Sequence, residues 1–333
     1  MYHEPCSQER HGGALVEQYR IAGFRLALEL VPQADHAFAP AWRGLAPYAS
    51  RRHDRNNERC APPDIRVRAY TGPLPAFDAR PLLDRGPGFW SAYALGERTL
   101  FTCQGTGPHA GVWRAVVCDA RASEVEVITR PDASFIEPGA ALPHPLAFPC
   151  AELIALSHIS TRDAAIFHAC GVRDHGGLGA GYLFCGRSGA GKSTTARLWQ
   201  GHGVILNDDR VLVRRGPNNE FRVHGTPWHG DVQQTHPGSA PLRALFFLEH
   251  ATEHSVVPLS AAEAQRRLLT SVWLPLWQRS GGMAATMLLC AQLVRELPCF
   301  LLRFRRDSDV IPLVRAAALS GSAGDQEPVA VPA

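Results

Sequence analysis

One glycine-rich segment, GRSGAGKST at residues 186–194, carries residue types that could bind phosphate. It satisfies G-x-x-x-x-G-K-[ST], the P-loop pattern, in which consecutive backbone N–H groups surround phosphate oxygens. Lys192 would bring its ammonium to the outer phosphates, and Ser193 would offer its hydroxyl to Mg²⁺. The pattern therefore predicts a nucleotide-phosphate site formed by Gly186, Arg187, Ser188, Gly189, Ala190, Gly191, Lys192, Ser193 and Thr194.

Two adjacent carboxylates follow this segment. Asp208 and Asp209 end the apolar run VILNDD, and Asp208 lies 16 residues after Lys192. A metal-binding carboxylate is expected at such a strand end, and two acids can divide the work between Mg²⁺ and an incoming nucleophile. A hydroxyl nucleophile needs a base, which a positioned Asp supplies in kinases. The spacing does not assign the base to one of the two, and Asp208 could instead be a solvated acid at a strand end.

The flanking segments predict elements that position these groups. YLFC at 182–185 favours a buried strand before the loop, and residues 194–199 favour a helix after it. The run AIFHACGV at 165–172 favours an earlier strand, joined to YLFC by a glycine-rich turn. This order predicts a hairpin feeding the loop, and a short helix is expected at 150–162.

Further elements follow the acids. Strands are expected at 210–214, at RALFFLE and at FLLRF. Ser260 and Glu263 have capping-box spacing and predict a helix continuing to residue 273, followed by another over Met283–Leu297. Asp231 in GTPWHGD is one more nearby carboxylate. The final small and polar residues predict a disordered tail.

The first half of the chain predicts a different kind of domain. Residues 1–18 show no clear period, whereas the stretch from Tyr19 alternates, with Phe24, Leu26, Leu28 and Leu30 on one face. Gly- and Pro-rich turns separate later short strands, which favours an antiparallel β domain for substrate recognition or structural support. The strands are expected at Ile65–Tyr70, Phe89–Leu95, Arg98–Cys103, Val112–Cys118 and Val125–Thr129.

The predicted domain boundary is the Pro-rich connector LPHPLAFP at 142–149. It gives an N-terminal domain at 1–149, a P-loop domain at 150–318 and a tail at 319–333. The polar stretch Pro40–Pro63, rich in arginine, is either a solvated loop or a docking surface for an acidic partner.

Composition narrows the functional classes. The chain of 333 residues is 45% hydrophobic and 20% charged, with a formal net charge of only +3, so nothing indicates a nucleic-acid partner. No apolar run of about 18 residues indicates a membrane span, and the N-terminus does not resemble a secretory signal. Nine scattered cysteines without a C-x-x-C pair favour buried, reduced thiols in a cytoplasmic protein.

Three motifs in this order resemble HPr kinase/phosphorylase and the wider group of HPr-kinase-like proteins: FHACGV with His168, GRSGAGKS, and LNDD. The resemblance implies the α/β fold shared with phosphoenolpyruvate carboxykinase, in which a mixed sheet carries the P-loop and helices pack on it. It implies ATP and Mg²⁺ as cofactors, Asp209 as the acid/base for a substrate serine, and His168 beside it. The resemblance also implies that Lys192 holds phosphate and that Ser193 and Asp208 bind the metal. Without the resemblance, His168 would be interpreted as a buried structural histidine.

The chain departs from the bifunctional enzymes of that family. It lacks their Arg-Pro-Gly-Arg-Asn-like phosphorylase segment and a clear counterpart of their second Mg²⁺-binding Glu. Divergent HPr-kinase-like proteins also resemble kinases of ribosomally made peptides, including lasso-peptide precursors, which implies a peptide or small protein with an acceptor serine. HPr kinase is a hexamer, so the resemblance allows a homo-oligomer. The alternatives are a small-molecule kinase of the same fold and a nucleotide-binding regulator without phosphate transfer.

Overall fold

The chain forms a mixed α/β structure of two compact units, of which the first is rich in β-strands, as predicted. Unit 1 comprises the described residues up to Ile159 together with Pro275–Gly282, and unit 2 comprises Ser160–Leu274 with the residues from Met283 onward. The computed structural model describes residues 9–11, 14–32, 36–50, 62–77, 80–86, 88–105, 111–132, 140–176, 179–278 and 281–321. Among these residues, no helix is both long and apolar enough to cross a membrane.

In its described part, unit 1 is built on one sheet with the strand order β1-β2-β3-β4-β9-β8-β7-β6-β5. The strands are β1 (Glu9–His11), β2 (Ala14–Ile21), β3 (Phe24–Leu30), β4 (Ile65–Thr71), β5 (Leu83–Asp84), β6 (Trp90–Leu95), β7 (Arg98–Gly105), β8 (Gly111–Cys118) and β9 (Glu124–Thr129). The predicted alternation is confirmed in β3, where Phe24, Leu26 and Leu28 are buried. Helix α1 (Cys150–Ile159) also belongs to this unit. The division between the units therefore lies one helix later in the chain than the predicted boundary at residue 149.

Two expectations for unit 1 are corrected. The sheet is not purely antiparallel, because β4 pairs in parallel with both β3 and β9. A period of two indicates which side chains share a face, but it carries no information on the direction of the partner strand. Residues 1–18, which show no clear period, include β1 and the first part of β2. The alternation of β2 is hidden because one of its buried residues is Glu17, which accepts hydrogen bonds from Tyr19 and His144.

The segment at 142–149, expected to be a connector, is packed into unit 1. Leu142 and Leu146 are buried, and the buried Arg114 guanidinium donates to the carbonyl oxygens of Pro143 and His144. The expectation of buried free thiols is confirmed for the cysteines that the structure describes, namely Cys103, Cys118, Cys150, Cys170, Cys185, Cys290 and Cys299. Cys6 and Cys60 lie outside the described residues. So does most of the arginine-rich stretch, at 51–61.

Unit 2 combines eight strands and four helices in its described residues. The strands are β10 (Ala164–Asp174), β11 (Gly181–Cys185), β12 (Gly203–Asn207), β13 (Arg210–Arg215), β14 (Phe221–His224), β15 (Ser239–His250), β16 (Ser255–Pro258) and β17 (Cys299–Phe304). The helices are α2 (Lys192–Leu198), α3 (Ala261–Leu269), α4 (Gly282–Glu296) and α5 (Val310–Gly321).

The long strands β10 and β15 each take part in two groups of paired strands. One group runs β12-β10-β11-β15-β17-β16, and the other runs β10-β13-β14-β15. The predicted hairpin is confirmed, because β10 and β11 pair antiparallel. Since β12 is also antiparallel to β10, while β15 is parallel to β11, the carboxyl ends of β11, β12 and β15 lie at one edge. Ligands of open α/β sheets bind at such an edge.

Aromatic stacking across the parallel strands supports this edge. Phe184, Phe246 and Phe300 are neighbours on β11, β15 and β17, and each adjacent pair of rings stacks with centroids 5.4 Å apart. Residues from α2 and α5 join their cluster on one face of the sheet, whereas residues from α3 and α4 pack on the other. The sheet that carries the loop is therefore covered by helices on both faces.

Helix α3 begins as predicted, since Ser260 Oγ accepts a hydrogen bond from the Glu263 N–H at 3.3 Å. It ends at Leu269 instead of continuing to residue 273, because Val272 pairs with Phe167 of β10. Strand β16 and helix α5 have no predicted counterpart. Helix α5 extends to Gly321, and the remainder of the expected tail, 322–333, lies outside the described residues.

One buried ion pair anchors α5 to β10 and gives unit 2 a stability that depends on pH. Arg315 donates to both oxygens of the buried Asp174, at 2.9 and 2.7 Å. Burial raises the pKa of Asp174, but the Arg315 and Gly176 hydrogen bonds outweigh it and hold the pKa below its usual value. Because the folded pKa is depressed, the contribution is complete well above the unfolded value of about 3.9 and is lost as the pH falls through the folded pKa.

We expect Asp174→Asn to lower the free energy of unfolding by about 3 kcal/mol at pH 7, because Arg315 loses its charged partner. The difference from the native chain should shrink from about pH 5 downward. Urea unfolding at several pH values measures it, and Asp309→Asn, at a largely exposed acid just before α5, is the control. Equal losses for the two variants would contradict the assignment.

Candidate functional site

The P-loop segment forms a turn between β11 and α2, and its glycines have the geometry that the pattern requires. Gly189 and Gly191 have φ angles of 81° and 108°, which side-chain-bearing residues rarely adopt. A Cβ at Gly191 would lie 2.7 Å from Phe304, so the loop packs there without room for a side chain. His250 Nε2 donates to the Gly189 carbonyl oxygen at 2.8 Å. The loop is thus fixed from below by the ends of β15 and β17.

Lys192 is a buried ammonium without a carboxylate partner. Only 7% of the residue is exposed, and its Nζ donates to the carbonyl oxygens of Gly186 and Arg187 at 2.9 and 3.1 Å. Within the part of the chain that the structure describes, it forms no ion pair. Burial lowers the pKa of Lys192, and the charge of Asp209 opposes this effect. Since a buried charge is normally paired, this environment fits a bound anion.

The oxygen donors of Ser193 and Asp208 suit Mg²⁺, which prefers hard oxygen ligands and usually keeps several waters and substrate phosphates. Ser193 is half-buried in the first turn of α2. No group of three or more His, Cys, Asp or Glu side chains among the described residues could hold a metal by itself. A P-loop magnesium site does not need such a group, because the hydroxyl and one carboxylate act together with phosphate oxygens.

Asp208 is not a solvated acid. It is only 2% exposed, and its two oxygens accept hydrogen bonds from the N–H groups of Gly230 and Val232, each at 2.8 Å. A Cβ at Gly230 would lie 3.0 Å from Asp208 Oδ2 and 2.8 Å from Asp209 Cβ, so glycine permits the close approach. Asp231, between the two donors, is itself exposed and does not join the site.

Asp209 is held between the imidazole of His168 and the guanidinium of Arg210. His168 Nε2 lies 2.8 Å from Asp209 Oδ1, and Arg210 donates to Oδ2 at 2.6 Å. Burial raises the pKa of Asp209, but the His168 hydrogen bond and the Arg210 charge more than offset it, so the pKa lies below its usual value. The His168 side chain is 37% exposed, which rules out the interpretation as a buried structural histidine.

Asn207 orients the acids, a role that the sequence analysis missed. This fully buried side chain accepts hydrogen bonds from the N–H groups of Asp209 and Arg210, both at 2.7 Å. Its amide nitrogen donates to the carbonyl oxygens of Thr226 and Trp228 at 2.8 and 3.1 Å. The signal available in the sequence was the polar Asn at the end of the apolar run VILN.

The structure therefore brings His168, Lys192, Asp208 and Asp209 together at one sheet edge, next to the loop 186–194. Arg210 and the backbone of the GTPWHGD segment are the other additions to the predicted set. Arg210 also lies over the Trp273 ring, with its guanidinium carbon 5.3 Å from the ring centroid. Beside the loop is a cavity of about 780 Å³, bounded by residues 185–190, the end of β15 and the carboxyl-terminal half of α3.

One protein-family model matches part of the chain. This model, described as SynChlorMet cassette protein ScmC, matches residues 150–307. The matched range includes the loop, His168 and both acids, and it covers a little under half of the chain. No curated protein matches the chain.

We expect Asn207→Ala to destabilise the chain by about 2 kcal/mol or more, because buried backbone groups on two segments lose their partners together. Chemical unfolding measures the loss. Asn218→Ala, at an exposed position of the turn before β14, is the control and should change stability little. A loss as small as the control's would contradict the orienting role of Asn207.

Proposed function

We propose that the protein is an ATP- and Mg²⁺-dependent kinase that transfers the γ-phosphate to a serine hydroxyl of a peptide or small protein. One observation carries this proposal: the ionised Asp209, bonded to the half-exposed His168, lies at the same sheet edge as a P-loop with a buried, unpaired lysine. Nucleotide binding alone does not need a proton acceptor at this position. Transfer to a hydroxyl does, because the attacking oxygen must lose its proton.

When bound, ATP supplies the transferable phosphoryl group and Mg²⁺ neutralises charge on the outer phosphates. The loop amides of residues 186–194 bind phosphate oxygens, and the Lys192 ammonium compensates their charge. Ser193 and Asp208 would hold the metal. The two backbone N–H groups on Asp208 fix the direction of its carboxylate, so that it is oriented before any ligand arrives.

Asp209 accepts the proton of the serine hydroxyl. Each carboxylate oxygen can accept more than one hydrogen bond, so the contacts with His168 and Arg210 leave room for the hydroxyl. These contacts stop the carboxylate from rotating and keep it ionised. His168 is a positioning residue in this scheme, because its Nε2 holds one oxygen of the Asp209 carboxylate.

The resemblance to HPr-kinase-like proteins supports the same activity and the fold shared with phosphoenolpyruvate carboxykinase. The matching family model names a cassette protein and no reaction. Under this proposal, unit 1 contributes to substrate recognition, and a cytoplasmic location and a homo-oligomer are parts of the same proposal. A small-molecule acceptor is the second candidate, because the cavity of about 780 Å³ falls within the size range of small-molecule sites.

Two substitutions separate binding from transfer. We expect Lys192→Ala to weaken ATP binding by about tenfold or more, since a buried cation that faces phosphate is lost. We expect Asp209→Asn to keep ATP affinity and to lower transfer by about 100-fold or more, the usual contribution of a general base. Calorimetric titration with Mg·ATP gives the affinities, and intact-mass detection of phosphopeptides gives the transfer rates.

Asp231→Asn is the matched control, because it alters an exposed acid near the site without touching Asp209 or its partners. It should leave both quantities unchanged. Full transfer by Asp209→Asn would show that Asp209 is not the base. Release of ADP with metabolite extracts, and not with peptides, would favour the small-molecule acceptor.

A further inference from the structure

The cavity beside the P-loop is the starting point of an inference that rests on the proposed function and concerns its acceptor. The cavity lies between the loop and α3 and has a volume of about 780 Å³. Gly186 and Arg187 line it on one side, and their carbonyl oxygens hold the Lys192 ammonium. In a P-loop this ammonium faces the outer phosphates, so two residues of the cavity wall hold the group that marks the reacting end of the nucleotide.

Another part of the cavity wall contacts the backbone of His168, the partner of the proton-accepting Asp209. Ser271 lines the cavity, and its carbonyl oxygen accepts a hydrogen bond from the His168 N–H at 2.6 Å. Residues of the cavity wall therefore contact both the Lys192 ammonium and the backbone of His168. An acceptor hydroxyl must stand between the outer phosphate and Asp209, which pairs with the His168 side chain.

The charges around the cavity favour an anionic ligand. Its two carboxylates are already neutralised: Arg267 donates to Glu249 at 2.9 Å and to Glu263 at 2.7 Å. Arg266 also pairs with Glu263, and its side chain is 75% exposed. Arg187 makes no ion pair with any residue that the structure describes. The cavity is thus lined by three arginines, Arg187, Arg266 and Arg267, and by only two glutamates, both of which are paired.

We propose that this cavity binds the acceptor peptide and selects a serine flanked by acidic residues. Arg187 and Arg266 attract the acidic side chains, and the polar end of α3 forms the far wall. Both arginines are exposed, so the preference is electrostatic and should weaken with salt, since charges are screened over about 10 Å at 0.1 M.

Three serine peptides that differ only in flanking Glu, Gln or Lys residues test the proposal with the full chain and Mg·ATP. The native protein should phosphorylate the acidic peptide with a kcat/KM about tenfold above that of the neutral one, and the basic peptide least. Arg266→Gln should reduce this ratio about threefold or more through the KM of the peptide, with the KM of ATP unchanged. Arg295→Gln is the matched control, because the Arg295 side chain on α4 is also 75% exposed and does not line the cavity.

Each outcome has a definite meaning. Equal transfer to all three peptides, or equal effects of Arg266→Gln and Arg295→Gln, would overturn the acidic preference while leaving the kinase activity in place. A rise in the KM of ATP with an unchanged peptide ratio in Arg266→Gln would assign the cavity to the nucleotide and overturn the inference. Transfer to none of the peptides, including a pool of unrelated sequences, would overturn the proposed function itself.

Discussion

The buried side chain of Asn207 ties together the backbone segments that carry the acids of the site. Its oxygen holds the N–H groups at the turn from β12 into β13, and its nitrogen holds the carbonyl oxygens of the segment at 226–228. That segment leads into the amides that grip Asp208. Because a buried amide left without partners is costly, these contacts form together or not at all. The direction of both carboxylates depends on them.

The electrostatic balance of the site follows from this arrangement. Asp209 faces His168 and Arg210, whereas Lys192 is held only by loop carbonyl oxygens. Lys192 and Arg210 match the two carboxylates in number, but the Lys192 ammonium contacts no carboxylate and lies close to backbone amides that can bind anions. A phosphate chain would give this ammonium an anionic partner. A phosphoryl-transfer reaction needs the same ammonium to bind phosphate.

Local patterns in the sequence were enough to predict the loop, the hairpin and the strand ending in two acids, because each depends on short runs of residues and on glycine geometry. The sequence could not decide whether His168 was buried, since the apolar run around it suits either interpretation and only the fold leaves one edge of the ring exposed.

Two features depend on distant partners. The parallel pairing of β4 depends on β9, and the end of α3 at Leu269 depends on Phe167. The sequence does not reveal the roles of Asn207 and Arg210, because these roles depend on contacts with distant residues. Asn207 contacts the segment at 226–228, and Arg210 lies over the Trp273 ring. Helix α5 carries small residues and Pro312 near its start, so its pattern was not recognised, although a proline is tolerated in a first helical turn.

The central claim is that this edge transfers phosphate to a hydroxyl instead of only binding a nucleotide. The most direct measurement is the ratio of ADP formed to phosphoserine formed when the native chain acts on a pool of serine peptides with Mg·ATP. The account predicts that the two products appear in equal amounts, with the phosphate located on serine, and that both form about 100-fold or more slowly in Asp209→Asn. Tight ATP binding with neither product, in the presence of peptides or metabolites, would contradict it and identify a nucleotide-binding regulator.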